Sequence, residues 1–274
     1  MFDPLADHTK RLDWADEDGS ALQTEIQAFV KSQPYAVFSE FHGNEGTATL
    51  RRNIDPAAEA KVLDRCARLI GSYLDNSRAA LNYATYILAL LDKPAHPELK
   101  PESVELPIFN DRALYRKHNR VKKLSDEHRA AIEAVQPYDG ERPGLWLLHE
   151  LARSYRHRLI HPTTLETIAA EHTVHVTNGT LESMEVLYAG VAQYDKPVLC
   201  YTVQPTGEGE VHGHPNVALS VCIDHALCRG LESVGVLNQI ARDASKATSA
   251  LAELIPVYPR LGPDGGAHRA PPTS

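Results

Sequence analysis

Four groups of residues have the types and spacings to do chemistry. The first lies in Asp75-Asn76-Ser77-Arg78-Ala79-Ala80-Leu81-Asn82-Tyr83. On a helix, Arg78 falls about 140° from the main apolar stripe and at the edge of a second one. A guanidinium so placed is partly desolvated and needs an anion, either a phosphate or Asp75 at i−3. The second group is basic: Arg112, Arg116, Lys117, Arg120, Lys122 and Lys123. Read as helix, Arg112, Arg116, Arg120 and Lys123 line one face and could track phosphates. The plainer reading is a solvated helix face.

The third group is His149-Glu150-x2-Arg153-x2-Arg156-His157-Arg158-x2-His161. His149, Arg153, His157 and His161 recur every four residues and drift about 40° per step across the face away from the core. Arg153 stands where a zinc protease would need its second His, so that reading fails. His157 and His161, one turn apart, could share a metal. Arg156 and His161, in R-x4-H spacing, could hold a phosphate and move a proton. The plainer reading is cations favoured near a helix C-terminus. The fourth group is His212-Gly213-His214, in a polar stretch that reads as a loop; two His in H-x-H spacing could join a metal site, and the plainer reading is an exposed loop. No phosphate loop, dinucleotide fingerprint or G-x-S-x-G elbow is present, and no Ser or Cys has an identifiable base beside it.

Composition limits the partners. The 274 residues carry a net charge of −8, with 43% hydrophobic and 23% charged, an ordinary globular balance. Non-specific nucleic-acid binding is disfavoured by that acidity. Yet residues 110–160 hold 11 Lys+Arg against 7 Asp+Glu, a local +4 that leaves −12 elsewhere, so a polyanion should meet that segment. Cys66, Cys200, Cys222 and Cys228 show no C-x-x-C spacing and read as buried reduced thiols. The best apolar run, Ala84 to Leu91, is far short of a membrane span, and the N-terminus has no secretory pattern. A cytoplasmic location with no membrane contact is expected.

The elements that must position these groups read as follows. Residues 8–31 form an amphipathic helix with Leu12, Ala15, Gly19, Leu22, Ile26 and Phe29 on its stripe, stopped by Pro34. Tyr35 to Phe41 and Thr47 to Arg52 flank turn formers and make a β-hairpin. Asp55-Pro56 opens the longest helix, to about Leu91, whose two adjacent apolar stripes mark it as the central helix of a bundle. Residues 93–109, rich in proline, should loop over the surface. Helices follow over 111–123, 126–136 and 145–161, then a capping box at Thr163 and Glu166 for a short helical turn. Strands are expected at His172–Val176, Met184–Ala192, Pro197–Val203 and Asn216–Ile223, with a last helix over 229–254. The fold class is α+β: a helical bundle to about 162 with an N-terminal β-hairpin, then a C-terminal antiparallel sheet plus helix over 163–258. Residues 1–258 read as one compact domain, and 259–274 as a disordered tail.

The order of segments resembles a group of uncharacterised bacterial proteins common in actinobacteria. The resemblance rests on Ile26-Gln27-Ala28-Phe29 before Pro34-Tyr35-Ala36-Val37, and on Ile70-Gly71-x-Tyr73-Leu74-x-Asn76-x-Arg78-x-Ala80-Leu81. Further on it rests on Pro107-Ile108-Phe109, Ile132-Glu133-x2-Gln136-Pro137-Tyr138 and Leu145-Trp146-Leu147-Leu148-His149-Glu150-Leu151 leading to His157-Arg158. It covers roughly residues 20–160 well and the C-terminal sheet loosely. The long helix of that group is similar in turn to the R-x4-6-H helix of HEPN-type helical bundles, many of them RNases or nucleotide-binding modules. The resemblance implies a homodimer that binds RNA or a nucleotide, with no metal and no cofactor. It implies that Arg78 holds phosphate.

In that group the long helix typically reads Asn-x-Arg-Ser-Ala-Leu-Asp-His, and this chain departs from it where Asn82 and Tyr83 stand in place of the Asp and His. A phenol is a poor proton shuttle at pH 7 but can hydrogen-bond a phosphate. The expected function is therefore RNA or nucleotide binding with weak or no RNase activity. Arg78, Tyr83, His149 and His157 form the expected centre, and Arg112, Arg116, Arg120, Lys123, Arg153 and Arg156 the nucleic-acid contacts. Two alternatives stand beside it: a non-enzymatic protein-interaction module, and a metal-dependent hydrolase built on the 145–161 helix.

Overall fold

A computed structural model describes residues 4–157, 163–167, 172–188, 190–206 and 211–255; the side chains of 4–8, 156, 157, 163 and 164 are not among those described. The chain is α+β. Helix α1 (Pro4–Lys31) packs along α2 (Pro56–Asp92), the central helix, against which α5 (Pro143–His157) and α6 (Ser233–Ala252) also lie. The first stripe is confirmed: Ala15, Leu22 and Phe29 are buried, and at Gly19 even a Cβ would only touch the Tyr73 ring, 3.4 Å away. Asp55 caps α2, accepting from the N–H of Ala57 (2.6 Å) and Ala58 (3.4 Å), while Pro56 needs no partner at the first helical position. Both stripes of α2 are covered, with Leu74, Leu81, Ala84 and Leu88 fully buried. The Tyr73 hydroxyl donates to the Leu237 carbonyl at 2.8 Å and ties α2 to α6.

The hairpin joins β1 (Tyr35–His42) to β2 (Glu45–Arg52) by a two-residue turn with φ positive at Gly43 only, the type II′ pattern. Its β2 edge pairs antiparallel with β7 (Pro197–Pro205), which pairs with β5 (Gly179–Val186). The N-terminal hairpin therefore completes the C-terminal sheet, in the order β1-β2-β7-β5. A second sheet orders β6 (Gly190–Val191), β3 (Thr163–Thr167) and β9 (Leu219–Ile223), and a third pairs β4 (Thr173–Thr177) with β8 (His212–Asn216).

Several expectations need correction. Residues 93–109 run over the surface only in part: Pro94, Pro97 and Glu98 are exposed, but Leu99, Val104, Leu106 and Ile108 are buried, and Pro101–Ser103 make one 3₁₀ turn. The prolines prevent a helix without preventing burial, because the N–H groups of Leu106 and Phe109 find side-chain acceptors in Asn82 and Gln136. The helix expected over 111–123 is α3 (Arg112–Lys117), six residues ending at an extended His118. The second is α4 (Asp126–Ala134), capped by Ser125 as expected. Thr163 to Glu166 form strand β3 rather than a capped turn, with Glu166 buried and accepting from the Gly230 N–H at 3.0 Å. His212 to His214 lie on a strand rather than in a loop. Cys66, Cys222 and Cys228 are buried thiols, as expected, whereas Cys200 is half-buried. No helix among the described residues is long and apolar enough to cross a membrane. Chain 256–274, including the expected tail, lies outside the described residues.

Candidate functional site

The site grows from the crossing of α2 and α5. Gly71 permits it: a Cβ there would stand 2.2 Å from the Tyr155 ring. The apolar face of α5, Leu145, Leu148, Leu151 and Ala152, is buried, which leaves Trp146, His149 and Glu150 half-buried at its flank and Arg153 exposed. His149 comes close enough to Arg78 for the guanidinium to act on it. Burial, then Arg78, with Arg153 and Arg120 adding to them, push the imidazole down to about 4; only Glu150, 3.9 Å away, opposes. His149 is therefore neutral at pH 7, with the Trp146 ring stacked at 5.5 Å.

Arg78 itself is only 5% exposed, and it donates to the Leu106 carbonyl at 2.5 Å. Asn82, one turn on, accepts from the Leu106 N–H at 3.2 Å. Of the two residues that depart from the pattern, Asn82 thus shares the Arg78 face. Tyr83 is half-buried about 140° round the helix from Arg78, so the two do not converge.

The basic segment differs from the expected stripe. With α3 ending at Lys117, Arg120 and Lys123 are not on a helix with Arg112 and Arg116. Arg112 covers the Tyr138 ring at 4.9 Å, and Arg120 lies 3.9 Å from Glu105. Arg116, Lys117, Arg120, Lys122 and Lys123 are all exposed. Beneath them is an aromatic cluster. Phe109 stacks on His118 at 5.1 Å, and Tyr115 meets His118 edge-on at 4.8 Å and Tyr138 at 6.1 Å. Burial, then Arg120 and Lys122, lower the His118 pKa. Arg120 thus acts on two histidines of different elements, His118 and His149.

A depression of about 330 Å³ beside Arg112 is lined by Glu133, Asp139 and Glu141 as well as Gln136 and Tyr138, a balance that repels a polyanion. On α5, Arg153 pairs with Glu150 at 2.6 Å. The side chains of Arg156 and His157, and the whole of Arg158 and His161, lie outside the described residues. Among the described residues, no three His, Cys, Asp or Glu side chains are gathered round one point as a metal cage.

Sequence reasoning missed Leu106, whose backbone Arg78 and Asn82 hold, and Trp146, which flanks His149. Pro107 and the apolar run after it were the only signal that this segment is fixed. Compared with known proteins, this α+β chain matches no family model, no curated protein and no solved structure.

Proposed function

We propose that the protein binds RNA or a nucleotide by its phosphates, on the surface formed by residues 116–123 and the exposed flank of α5, in the cytoplasm and as a homodimer. One observation carries this: Arg116, Lys117, Arg120, Lys122 and Lys123 are all exposed on one short segment, and Arg120 acts on both His118 and His149, which supports a locally positive surface on a chain of net charge −8. Arg116, Lys117, Lys122 and Lys123 are the phosphate contacts, joined by Arg120 and Arg153 once these exchange their carboxylates for phosphate. Trp146 offers a ring face beside them for a base. Arg78 acts from beneath, fixing Leu106 and adding to the field. RNA cleavage is weak or absent in this reading, because an imidazole titrating at about 4 is a weak base at pH 7.

The test is anisotropy with labelled single-stranded RNA at two salt concentrations, and with ATP as a competitor. Wild type should bind with a salt-sensitive affinity. Reversing Lys117, Lys122 and Lys123 to Glu should weaken binding at least tenfold and flatten the salt slope. Wild type that binds neither probe, or a triple variant that binds like wild type, overturns the proposal.

A second reading is favoured by the Arg78–Leu106 bond: a protein-interaction module in which Arg78 is purely structural. It predicts no polyanion affinity at any salt concentration. Sedimentation gives the oligomeric state under either reading.

A further inference from the structure

The depression beside Arg112 is acidic on a segment otherwise rich in cations. Glu133 on α4, and Asp139 and Glu141 on the turn that follows, face the single guanidinium of Arg112, so three carboxylates against one cation leave its lining at −2. None of the three carboxylates takes part in a hydrogen bond or ion pair among the described residues. The turn is held in place: the Arg142 guanidinium donates to the Ala134 carbonyl at 2.9 Å, at the end of α4. The Gln136 amide is already spent. It accepts from the Phe109 N–H at 2.9 Å and donates to the Pro107 and Ile132 carbonyls at 2.8 and 2.9 Å.

A second observation is independent of charge. Tyr115 and Tyr138 are each only 7% exposed, yet neither hydroxyl has a hydrogen-bond partner. Such groups are rare, because they lose water and gain no bond in return. Tyr138 lines the depression, and Tyr115 meets its ring edge-on. Burial, then the Glu133 carboxylate on the same wall, raises the pKa of both phenols. Carboxylates only accept hydrogen bonds, and a phenol oxygen can accept one too. What the depression lacks is therefore a positively charged donor. An ammonium supplies three N–H groups and the charge, whereas water would leave the −2 unbalanced.

We propose that this depression binds a small aliphatic diamine or polyamine, with one ammonium between Glu133 and the Tyr138 hydroxyl and a second at Asp139 and Glu141. The three carboxylates are not gathered round one point, so two separated positive charges fit them and a single metal ion does not. The volume of about 330 Å³ lies within the range of small-ligand sites, about 300–1,000 Å³. Bound amine stabilises the fold by mass action.

The experiment titrates the full chain with putrescine and with spermidine by calorimetry, without RNA, so its outcome does not depend on the phosphate-binding reading. Wild type should bind both amines, and both should raise its Tm. Butylamine, with one charge, should bind at least tenfold more weakly than putrescine. Gly-Lys-Gly amide, which presents a lysine side chain in place of a free diamine, should do no better than butylamine. Glu133→Gln should weaken putrescine binding at least tenfold, and the triple variant Glu133→Gln, Asp139→Asn, Glu141→Gln should lose it. Glu127→Gln, on α4 but outside the depression, should bind like wild type. Tyr138→Phe should also weaken binding about tenfold, while its Tm without amine stays at or above that of wild type, because the hydroxyl it removes has no partner. The proposal is overturned if wild type binds neither diamine nor polyamine, if butylamine or the lysine peptide binds as tightly as putrescine, or if the triple variant or Tyr138→Phe binds putrescine within threefold of wild type.

Discussion

Arg78 and Asn82, one turn apart on α2, grip the two polar groups of a single residue: the guanidinium donates to the Leu106 carbonyl and the amide oxygen accepts from the Leu106 N–H. Leu106 is fully buried, so neither backbone group could turn to water if its partner were lost. Arg78→Ala should therefore destabilise the fold by about 2–3 kcal/mol, since a hydrogen bond to a charged donor is the stronger kind, and Asn82→Ala by about 1 kcal/mol. Urea denaturation checks both. An Arg78→Ala midpoint equal to that of wild type would remove the structural role.

His149 links the site to pH. Its folded pKa of about 4 lies below the ordinary histidine value of 6.5, because burial and the Arg78 guanidinium oppose a charged ring. A depressed histidine binds its proton more readily when unfolded. Its contribution is complete above 6.5 and is lost as pH falls from there toward about 4. The loss is on the order of 3 kcal/mol over that window. His149→Gln should flatten this part of the curve of urea midpoint against pH. An NMR titration of wild type should place His149 well below the exposed histidines; a value near 6.5 would refute the burial of this ring beside Arg78.

Much of this architecture was legible in the sequence where local signals agreed. Asp55-Pro56 announced the start of α2, and two apolar stripes announced its burial on more than one side. The basic stripe failed for a tertiary reason. Nothing local forbids a helix through His118, but its ring packs on Phe109 and Tyr115, and Val121 and Leu124 are buried, which commits the chain to turns. The same limit hid the Leu106 clip, 24 to 28 residues from its partners on α2. Strand β8 was missed because His-Gly-His-Pro-Asn has no strand propensity; its place is set by Gly213 fitting under Tyr201.

Gly144 governs how α5 meets α6. Its N–H donates to Asp243 Oδ2 at 2.8 Å, and a Cβ would stand 2.3 Å from the Gln239 carbonyl oxygen. That obstacle is backbone and cannot rotate away, so Gly144→Ala must push the helices apart. Overpacking of this kind costs about 1–3 kcal/mol. The Gly71 contact is with the far end of a Tyr155 ring, which can move, so Gly71→Ala should cost less. Thermal melts of the two variants test the ranking, and the reverse order would mean that α5 and α6 are not this close.

Asp92 and His128 form the buried pair that fastens the end of α2 to α4. Asp92 Oδ2 accepts from the Ser125 N–H at 2.8 Å and lies 2.9 Å from His128 Nδ1. Burial alone would raise this carboxyl, but the Ser125 N–H and His128 outweigh it and hold it below its usual 3.8. A depressed carboxylate contributes stability that is complete above 3.8 and is lost as pH falls through its lower folded value. Asp92→Asn keeps the shape and removes the charge, so it should cost about 1.5–3 kcal/mol at neutral pH. The gap between wild type and variant in urea midpoint should then narrow as pH falls below 3.8, where wild type loses the same charge. A gap that stays constant with pH would mean that packing, rather than the carboxylate, joins α2 to α4.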